Sequence, residues 1–293
     1  MTSPASLVPG SPVLNTATSS ATAPSSAALA LDRLLAIMAK LRDPNGGCPW
    51  DLEQSFATIA PHTIEEAYEV ADAIQQADMP ALKGELGDLL FQVVFYAQMA
   101  READHFSMAD VIESIVNKMI DRHPHVFSEE KIETSAAQTV AWETRKAAER
   151  AAAAAASGRQ ASVLDGVALG LPALMRAEKL QKRAARVGFD WPDTVPVLAK
   201  VREELAEVEV EIAAGAPHDR VTDEIGDLLF VCANLARHLK VDPEVALRQA
   251  NAKFERRFHR IEAVMAREGI DPAAAGLDRL EEAWQQAKRE ECT

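Results

Sequence analysis

Carboxylates recur in this chain at a spacing suited to holding a cation. Glu85-Leu86-Gly87-Asp88-Leu89-Leu90-Phe91 reappears as Glu224-Ile225-Gly226-Asp227-Leu228-Leu229-Phe230. Each copy sets two acids three apart around a glycine. A second acidic cluster precedes each copy: Glu65, Glu66 and Glu69 in one half, Glu203, Glu204 and Glu207 in the other. On a helix, acids three apart share a face and repel by roughly 0.2–0.5 kcal/mol per pair. Gathering four of them from two helices costs more, unless a cation joins them. Carboxylates without neighbouring imidazoles or thiolates suit a hard divalent ion, Mg²⁺ or Mn²⁺, and Mg²⁺ keeps positions open for phosphate oxygens.

A solvated acidic face is the plainer reading, and for one Glu-x-x-Glu it would be the better one. In the first half, Thr63-Ile64-Glu65-Glu66 also matches a helix capping box, with Glu66 reaching back to the N-terminus. The second half removes that explanation. A helix starting near Val195 places Glu204 well inside, and its apolar stripe of Val201, Leu205, Val208 and Ile212 occupies a different arc from the acids. Gly87 and Gly226 each cost about 1 kcal/mol against alanine inside a helix. They imply close approach of either a neighbouring helix or a ligand.

The elements that must carry these acids are helices. The chain is rich in Ala, Leu, Glu, Arg and Gln and poor in β-branched runs, and no strand alternation is present, so the class is all-α. A helix is expected from near Ala27, ending at Asp43-Pro44-Asn45-Gly46-Gly47-Cys48-Pro49-Trp50. The acid helix of the first half is expected from about Thr63. The heptapeptide helix runs from the turn at Asp78-Met79-Pro80 to about Ala103, followed by segments near 107–121 and 135–156. The second half repeats the order: a Gly188-Phe189-Asp190-Trp191 loop, an acid helix at about 195–214, the heptapeptide helix at about 219–239, and segments near 243–267 and 276–290. Four or five helices per half suit a small bundle. The expected organisation is a disordered tail over 1–27, domains over 28–156 and 166–293, and a linker over 157–165 with its flexible joint at Ser157-Gly158.

A net charge of −14 argues against a protein held to nucleic acid by a basic surface. It leaves polyphosphate ligands open, because they can arrive as metal complexes. Cys48, Cys232 and Cys292 make an odd count without CxxC spacing, which fits a reduced, cytoplasmic compartment. No stretch has the apolar length of a membrane span, and the first residues lack the basic region of a secretory signal.

Basic and aromatic residues are duplicated with the acids. Asn117-Lys118 and Arg122 answer Asn251, Lys253 and Arg257; Trp142 and Lys146 answer Trp284 and Lys288. Each pair lies four apart, on one helix face. Lys253 and Arg257 could neutralise phosphate oxygens, and Trp284 could stack on a base. Taken singly, each reads as ordinary amphipathic helix or core. The seven histidines show no such duplication and read as structural or surface groups.

Together these residues resemble the MazG family of nucleoside triphosphate pyrophosphohydrolases, in its tandem two-domain form, from about residue 28 to 293. The carrying motifs are Gly47-Cys48-Pro49-Trp50-Asp51, Glu65-Glu66-Ala67-Tyr68-Glu69, Glu85-Leu86-Gly87-Asp88, Asn251-Ala252-Lys253-Phe254 and Trp284-Gln285-Gln286-Ala287-Lys288. The resemblance implies two MazG-like helical bundles, a homodimer, and Mg²⁺-dependent cleavage of NTPs and dNTPs to monophosphate and pyrophosphate, with nucleotide-pool sanitation as the role. It implies metal ligation by Glu204, Glu207, Glu224 and Asp227, and by Glu66, Glu69, Glu85 and Asp88. Substrate contacts fall on Asn251, Lys253, Arg257, Trp284 and Lys288, with Lys118, Arg122, Trp142 and Lys146 as first-half counterparts. Gln54-Ser55-Phe56 departs from the Gln-Thr-His of relatives, and Asp121 replaces the basic character of Arg256, so the second half is the stronger catalytic candidate.

The mechanism expected is attack of an activated water on the α-phosphorus, with Glu203 or a ligand carboxylate as base. The rival from another class is a non-enzymatic, nucleotide-sensing helical module. A di-iron bundle needs paired Glu-x-x-His, and only Glu102-Ala103-Asp104-His105 is offered.

Overall fold

The computed structural model describes residues 25–128 and 134–291. Residues 1–24 of the expected tail lie outside it, and 25–27 already belong to the first helix and its cap. Among the described residues there is no strand, and no helix is long and apolar enough to cross a membrane. Contacts divide the chain into two compact units, 1–133 and 134–293.

The first unit holds α1 (Ser26–Leu41), α2 (Pro49–Glu53), α3 (Phe56–Gln75), α4 (Met79–Glu102), α5 (Met108–Arg122) and α6 (Pro124–Phe127). α3 and α4 form a helical hairpin, and α1 packs on α4. Met38, Ile59, Val94, Phe95 and Met99 make its core, with Leu31, Leu34, Leu35 and Phe91 against them. Oxygen side chains fix the helix starts: Ser25 accepts from Ala28 N, Asp78 from Ala81 N, and Ser107 closes a capping box with Asp110. Such caps contribute about 1 kcal/mol each.

The acid helix starts earlier than the sequence pattern indicated. Ser55 caps α3 with a Ser55–Thr58 box, so Thr63 and Glu66 lie in the helix interior. The Thr63–Glu66 capping explanation therefore fails in the first half as well. The first-half Gln-Ser-Phe departure is part of this cap, so Ser55 serves the backbone here.

The second unit holds α7 (Ser135–Ala156), α8 (Ala173–Ala185), α9 (Thr194–Ala213), α10 (His218–His238), α11 (Pro243–Glu268) and α12 (Leu277–Glu291). α9 and α10 repeat the hairpin, α8 packs on α10, and α11 pairs with α12 around Ile261, Met265 and Ala283. Gly269, with φ +68°, turns the chain out of α11 in the left-handed conformation that glycine tolerates.

The unit boundary falls ahead of α7, where the sequence reading had grouped 135–156 with the first domain. One ion pair joins α7 to the end of α8. Glu143 on α7 accepts from Arg186 at the end of α8. The segment expected as a linker is pinned by hydrogen bonds: Asp165 accepts from Arg159 (2.8 Å) and from Ser162 N (2.8 Å), and Arg183 donates to Asp165 O (3.0 Å).

In each unit an arginine–carboxylate pair ties the loop before the acid helix to the bundle. Arg42 clasps Glu102 through Nε (3.0 Å) and Nη2 (2.6 Å), and its Nη1 donates to Asp51 O. In the second unit the polarity is reversed. Arg237 at the end of α10 reaches Asp190 in the loop (3.0 Å to Oδ2), and His238 Nε2 lies 3.1 Å from Asp190 Oδ1. The hydrogen bond from Arg237 holds the Asp190 carboxyl below the usual carboxylate range; partial burial opposes this, while the charges of Arg237 and His238 reinforce it. A depressed native pKa means that the unfolded chain binds more protons in acid. The pair's stabilisation is thus full above the usual aspartate range and lost as pH falls through the native value. Asp190→Asn should cost about 1 kcal/mol at neutral pH, the low end for a partly exposed charged pair. Urea midpoints compared across pH 3–7 should converge for wild type and variant at the acid end.

Candidate active site

Both hairpins bring their acids together. In the first unit, carboxylate oxygens of Glu66 on α3 and of Glu85 and Asp88 on α4 lie within 4.8 Å of one another. In the second, Glu204 on α9 meets Glu224 and Asp227 on α10 within the same limit. Three-residue spacing places the two acids of each heptapeptide on one helix face, and the hairpin turns that face toward the partner helix. Glu69 and Glu207 stand outside the tightest groups but act on them. The charge of Glu69 bears on Glu66 and Glu85, and Glu207 shares a hydrogen bond with Glu204.

The electrostatics are those of acids gathered against their own repulsion. Burial first, then the charges of Asp88, Glu69, Glu85 and Glu65, push the Glu66 carboxyl above its ordinary value. Burial, then Glu69 and Asp88, push Glu85 the same way. Glu207 is raised by its hydrogen bond with Glu204, then by burial and by the Glu204 charge. An all-oxygen set of this kind fits a hard divalent cation.

The two sites differ in depth and in their resident base. Glu204 is 6% exposed, whereas Glu66 is half-buried. Lys200 Nζ lies 2.8 Å from Glu203 Oε1 and 2.8 Å from Glu204 Oε1, and those two hydrogen bonds raise its pKa. Sequence reasoning passed over Lys200, although its three- and four-residue spacing to the two glutamates was visible. His62 holds the corresponding place before Glu65 and Glu66, 3.6 Å from Glu65 Oε2. Glu203, the candidate general base, is 58% exposed and engaged by Lys200.

The basic and aromatic residues of the second half gather on the α11–α12 pair. Arg257 Cζ lies 5.4 Å over the Trp284 ring, and its Nε donates to Glu291 (2.7 Å). Phe254 packs against Trp284 with centroids 5.4 Å apart. Lys253, Asn251 and Lys288 are exposed on the same two helices. No hydrogen bond or ion pair among the described residues links Lys253, Arg257, Trp284 or Lys288 to the acid cluster. In the first half the counterparts separate: Lys118 and Arg122 sit on α5 in the first unit, Trp142 and Lys146 on α7 in the second. Lys146 there faces Glu143 at 3.6 Å.

The glycines answer one of the two readings left open. A Cβ at Gly87 or Gly226 would meet nothing within 4 Å. No described neighbouring helix requires a glycine there, and the surface beside the acids is open to a ligand.

A cavity of about 550 Å³ adjoins the second acid cluster, with Lys200, Glu204 and Asp227 in its wall. Nothing in the residue spacing announces it, because its lining comes from five separate segments.

Fold and site define a class: a tandem all-α protein whose two hairpins each present an acid cluster fit for a hard cation. The family model for the MazG nucleotide pyrophosphohydrolase domain matches residues 54–127 and again 195–261, one match on each hairpin. The chain is 52% identical over 262 residues to the nucleoside triphosphate pyrophosphohydrolase of Escherichia coli K12, spanning 89% of this chain and 98% of that one. It is 39% identical over 262 residues to the nucleoside triphosphate pyrophosphohydrolase/pyrophosphatase MazG of Thermotoga maritima, spanning 89% and 97%. The chain belongs to the MazG family.

Because nothing packs on Gly226, Gly226→Ala should raise stability, by up to about 1 kcal/mol of helix propensity. A thermal melt of the apo-protein checks this; a loss of stability would show that something does occupy that face.

Proposed function

We propose that this protein hydrolyses (deoxy)nucleoside triphosphates to nucleoside monophosphate and pyrophosphate, with the α9–α10 hairpin as its catalytic centre. The names of the relatives that match nearly end to end support the reaction. The observation that carries the choice of centre is the buried Glu204 with Glu224 and Asp227 beside a cavity large enough for substrate. Glu204, Glu207, Glu224 and Asp227 would hold Mg²⁺ (or Mn²⁺). When bound, the ion supplies charge neutralisation for the polyphosphate and lowers the pKa of a coordinated water.

The chain's own residues prepare for that substrate. Lys200 offsets the charge of Glu203 and Glu204 and holds both side chains in place. Glu207, which shares a hydrogen bond with Glu204, is a candidate base beside Glu203. Arg257 is paired with Glu291, a partner that a phosphate oxygen can displace through a bidentate fork. Lys253, Asn251, Trp284 and Lys288 would complete the substrate contacts. Positioning and charge compensation supply most of the acceleration in such a site. In the first unit Glu66, Glu69, Glu85 and Asp88 would hold a second cation. Its shallower acids and His62 in place of a lysine favour a lesser catalytic role, with Lys118, Arg122, Trp142 and Lys146 as its basic and aromatic counterparts.

The acting species is proposed to be a cytoplasmic homodimer engaged in clearing nucleotide pools. Apolar side chains of both heptapeptides are left uncovered: Leu86 is 50% exposed and Leu229 is 53% exposed. A second copy burying those faces would account for them. Leu229→Asp should shift the protein to monomer in light scattering, and an unchanged mass would sink that interface.

Glu224→Ala and Asp227→Ala, in a background with Glu85 and Asp88 also replaced, should lower Mg²⁺-dependent pyrophosphate release by at least about 100-fold, the scale of losing a transition-state electrostatic contact. A panel of NTPs assayed with and without Mg²⁺ measures this. Nucleotide binding without turnover in the wild type would favour a sensing module instead.

A further inference from the structure

Resting on the proposed reaction and on Arg257 as a phosphate contact, we infer that Glu291 is a self-inhibitory latch. Its carboxylate occupies Arg257 in the free protein, and the phosphates of the substrate must displace it to bind. The two residues stand 34 apart in the chain and meet because α11 and α12 pack side by side. Arg257 Nε donates to Glu291 Oε2 (2.7 Å), and the two side chains are 16% and 17% exposed. Ion pairs open to solvent contribute little, because water and salt screen them; this pair is largely withdrawn from both.

Three arginines surround this carboxylate. Arg256 Nε lies 3.9 Å from its other oxygen, and Arg260 Nη1 donates to Ala287 O (3.3 Å), one turn earlier on α12. The hydrogen bond from Arg257 holds the Glu291 carboxyl below the usual carboxylate range; desolvation opposes this, and the charges of Arg257, Arg256 and Arg260 reinforce it. The latch is therefore charged at neutral pH. One carboxylate among three guanidinium groups leaves positive charge in surplus, within a chain whose net charge is −14. A polyphosphate, with more charge and more acceptor oxygens than a carboxylate, matches that surplus better.

Two features make Glu291 a competitor of the substrate and not the holder of Arg257. Trp284 supports the guanidinium without it: Arg257 Cζ lies 5.4 Å over the ring, and Phe254 packs against the same ring with centroids 5.4 Å apart. The contact with Glu291 is also single. Among the described residues, Nε to Oε2 is the one hydrogen bond that the Arg257 guanidinium makes, whereas a phosphate can take two of its N–H groups at once. Binding therefore exchanges a one-point contact for a two-point one. A ligand that binds only the open form has its dissociation constant divided by the open fraction, so a latch closed about nine-tenths of the time weakens binding about tenfold.

Steady-state kinetics with an NTP, and with inorganic tripolyphosphate as its competitive inhibitor, both with Mg²⁺, test the latch. Glu291→Gln keeps the shape of the side chain and removes its charge. It should lower KM for the NTP and the tripolyphosphate inhibition constant alike, each about tenfold, with kcat changed by less than about 3-fold. In an Arg257→Ala background the same substitution should change neither constant, because the latch then has nothing to hold. An equal drop in that background would mark general charge repulsion and overturn the latch. Glu291→Asp, which withdraws the carboxylate by one methylene, should fall between wild type and Glu291→Gln, and serves if the glutamine variant fails to fold. Constants that stay at wild-type values, or that rise as they would if Glu291 held Arg257 for the substrate, also overturn the inference. Wild type that releases no pyrophosphate from any NTP overturns the parent reading instead. Calorimetric titration of tripolyphosphate with Mg²⁺ into wild type and Glu291→Gln then decides the latch by itself: tighter binding to the variant supports it, and equal or weaker binding overturns it.

Discussion

Mutual repulsion among carboxylates is the constraint around which each half of this molecule is built. A helical hairpin would be more stable with neutral residues at Glu204, Glu207, Glu224 and Asp227. The chain instead holds these acids against one another, one of them 6% exposed. Two consequences are visible. Lys200 is drawn into a double ion pair with Glu203 and Glu204. The hairpin is also backed by α8, which packs on α10. The same physics recurs in the first unit, where burial and like charge together raise Glu66 and Glu85.

The halves share this arrangement and differ in what surrounds it. The second offers a deeper glutamate, a permanent cation in Lys200 and an adjoining cavity. The first offers a half-buried glutamate and a histidine. The loops before the acid helices are fastened by arginine–carboxylate pairs of opposite polarity: Arg42 reaches from α1 to Glu102, and Arg237 reaches from α10 to Asp190. A duplicated acid arrangement does not require duplicated fastening. Any charge-assisted pair that spans loop and helix end would serve.

The α11–α12 pair stands somewhat apart. Its own small core, with Ile261, Met265 and Ala283, gathers Arg257 and Trp284 onto each other and not onto the acids. A Trp and an Arg with a matched repeat read as substrate contacts, and in the folded chain they also lie against one another. The cavity beside the acids went unnoticed for the converse reason. Gln181, Phe189, Trp191 and Asn234 line that cavity without any shared spacing, and only folding brings them together.

What the amino-acid sequence determined by itself was periodic and local. Helical spacing of apolar residues placed α4, α5, α9, α10, α11 and α12 within a residue or two. The repeated acids announced two acid clusters, because i,i+3 geometry is a property of any helix. What only the tertiary structure decided depended on distant parts meeting. It moved the start of α3 back to Ser55, since a local cap outcompeted the expected loop. It grouped α7 with the second unit, where Glu143 pairs with Arg186. It left the space above Gly87 and Gly226 open, and it joined α8, a loop and α10 around a cavity beside Glu204 and Asp227. Chain spacing carries no record of such meetings, because burial and charge pairing between segments arise only when the segments pack.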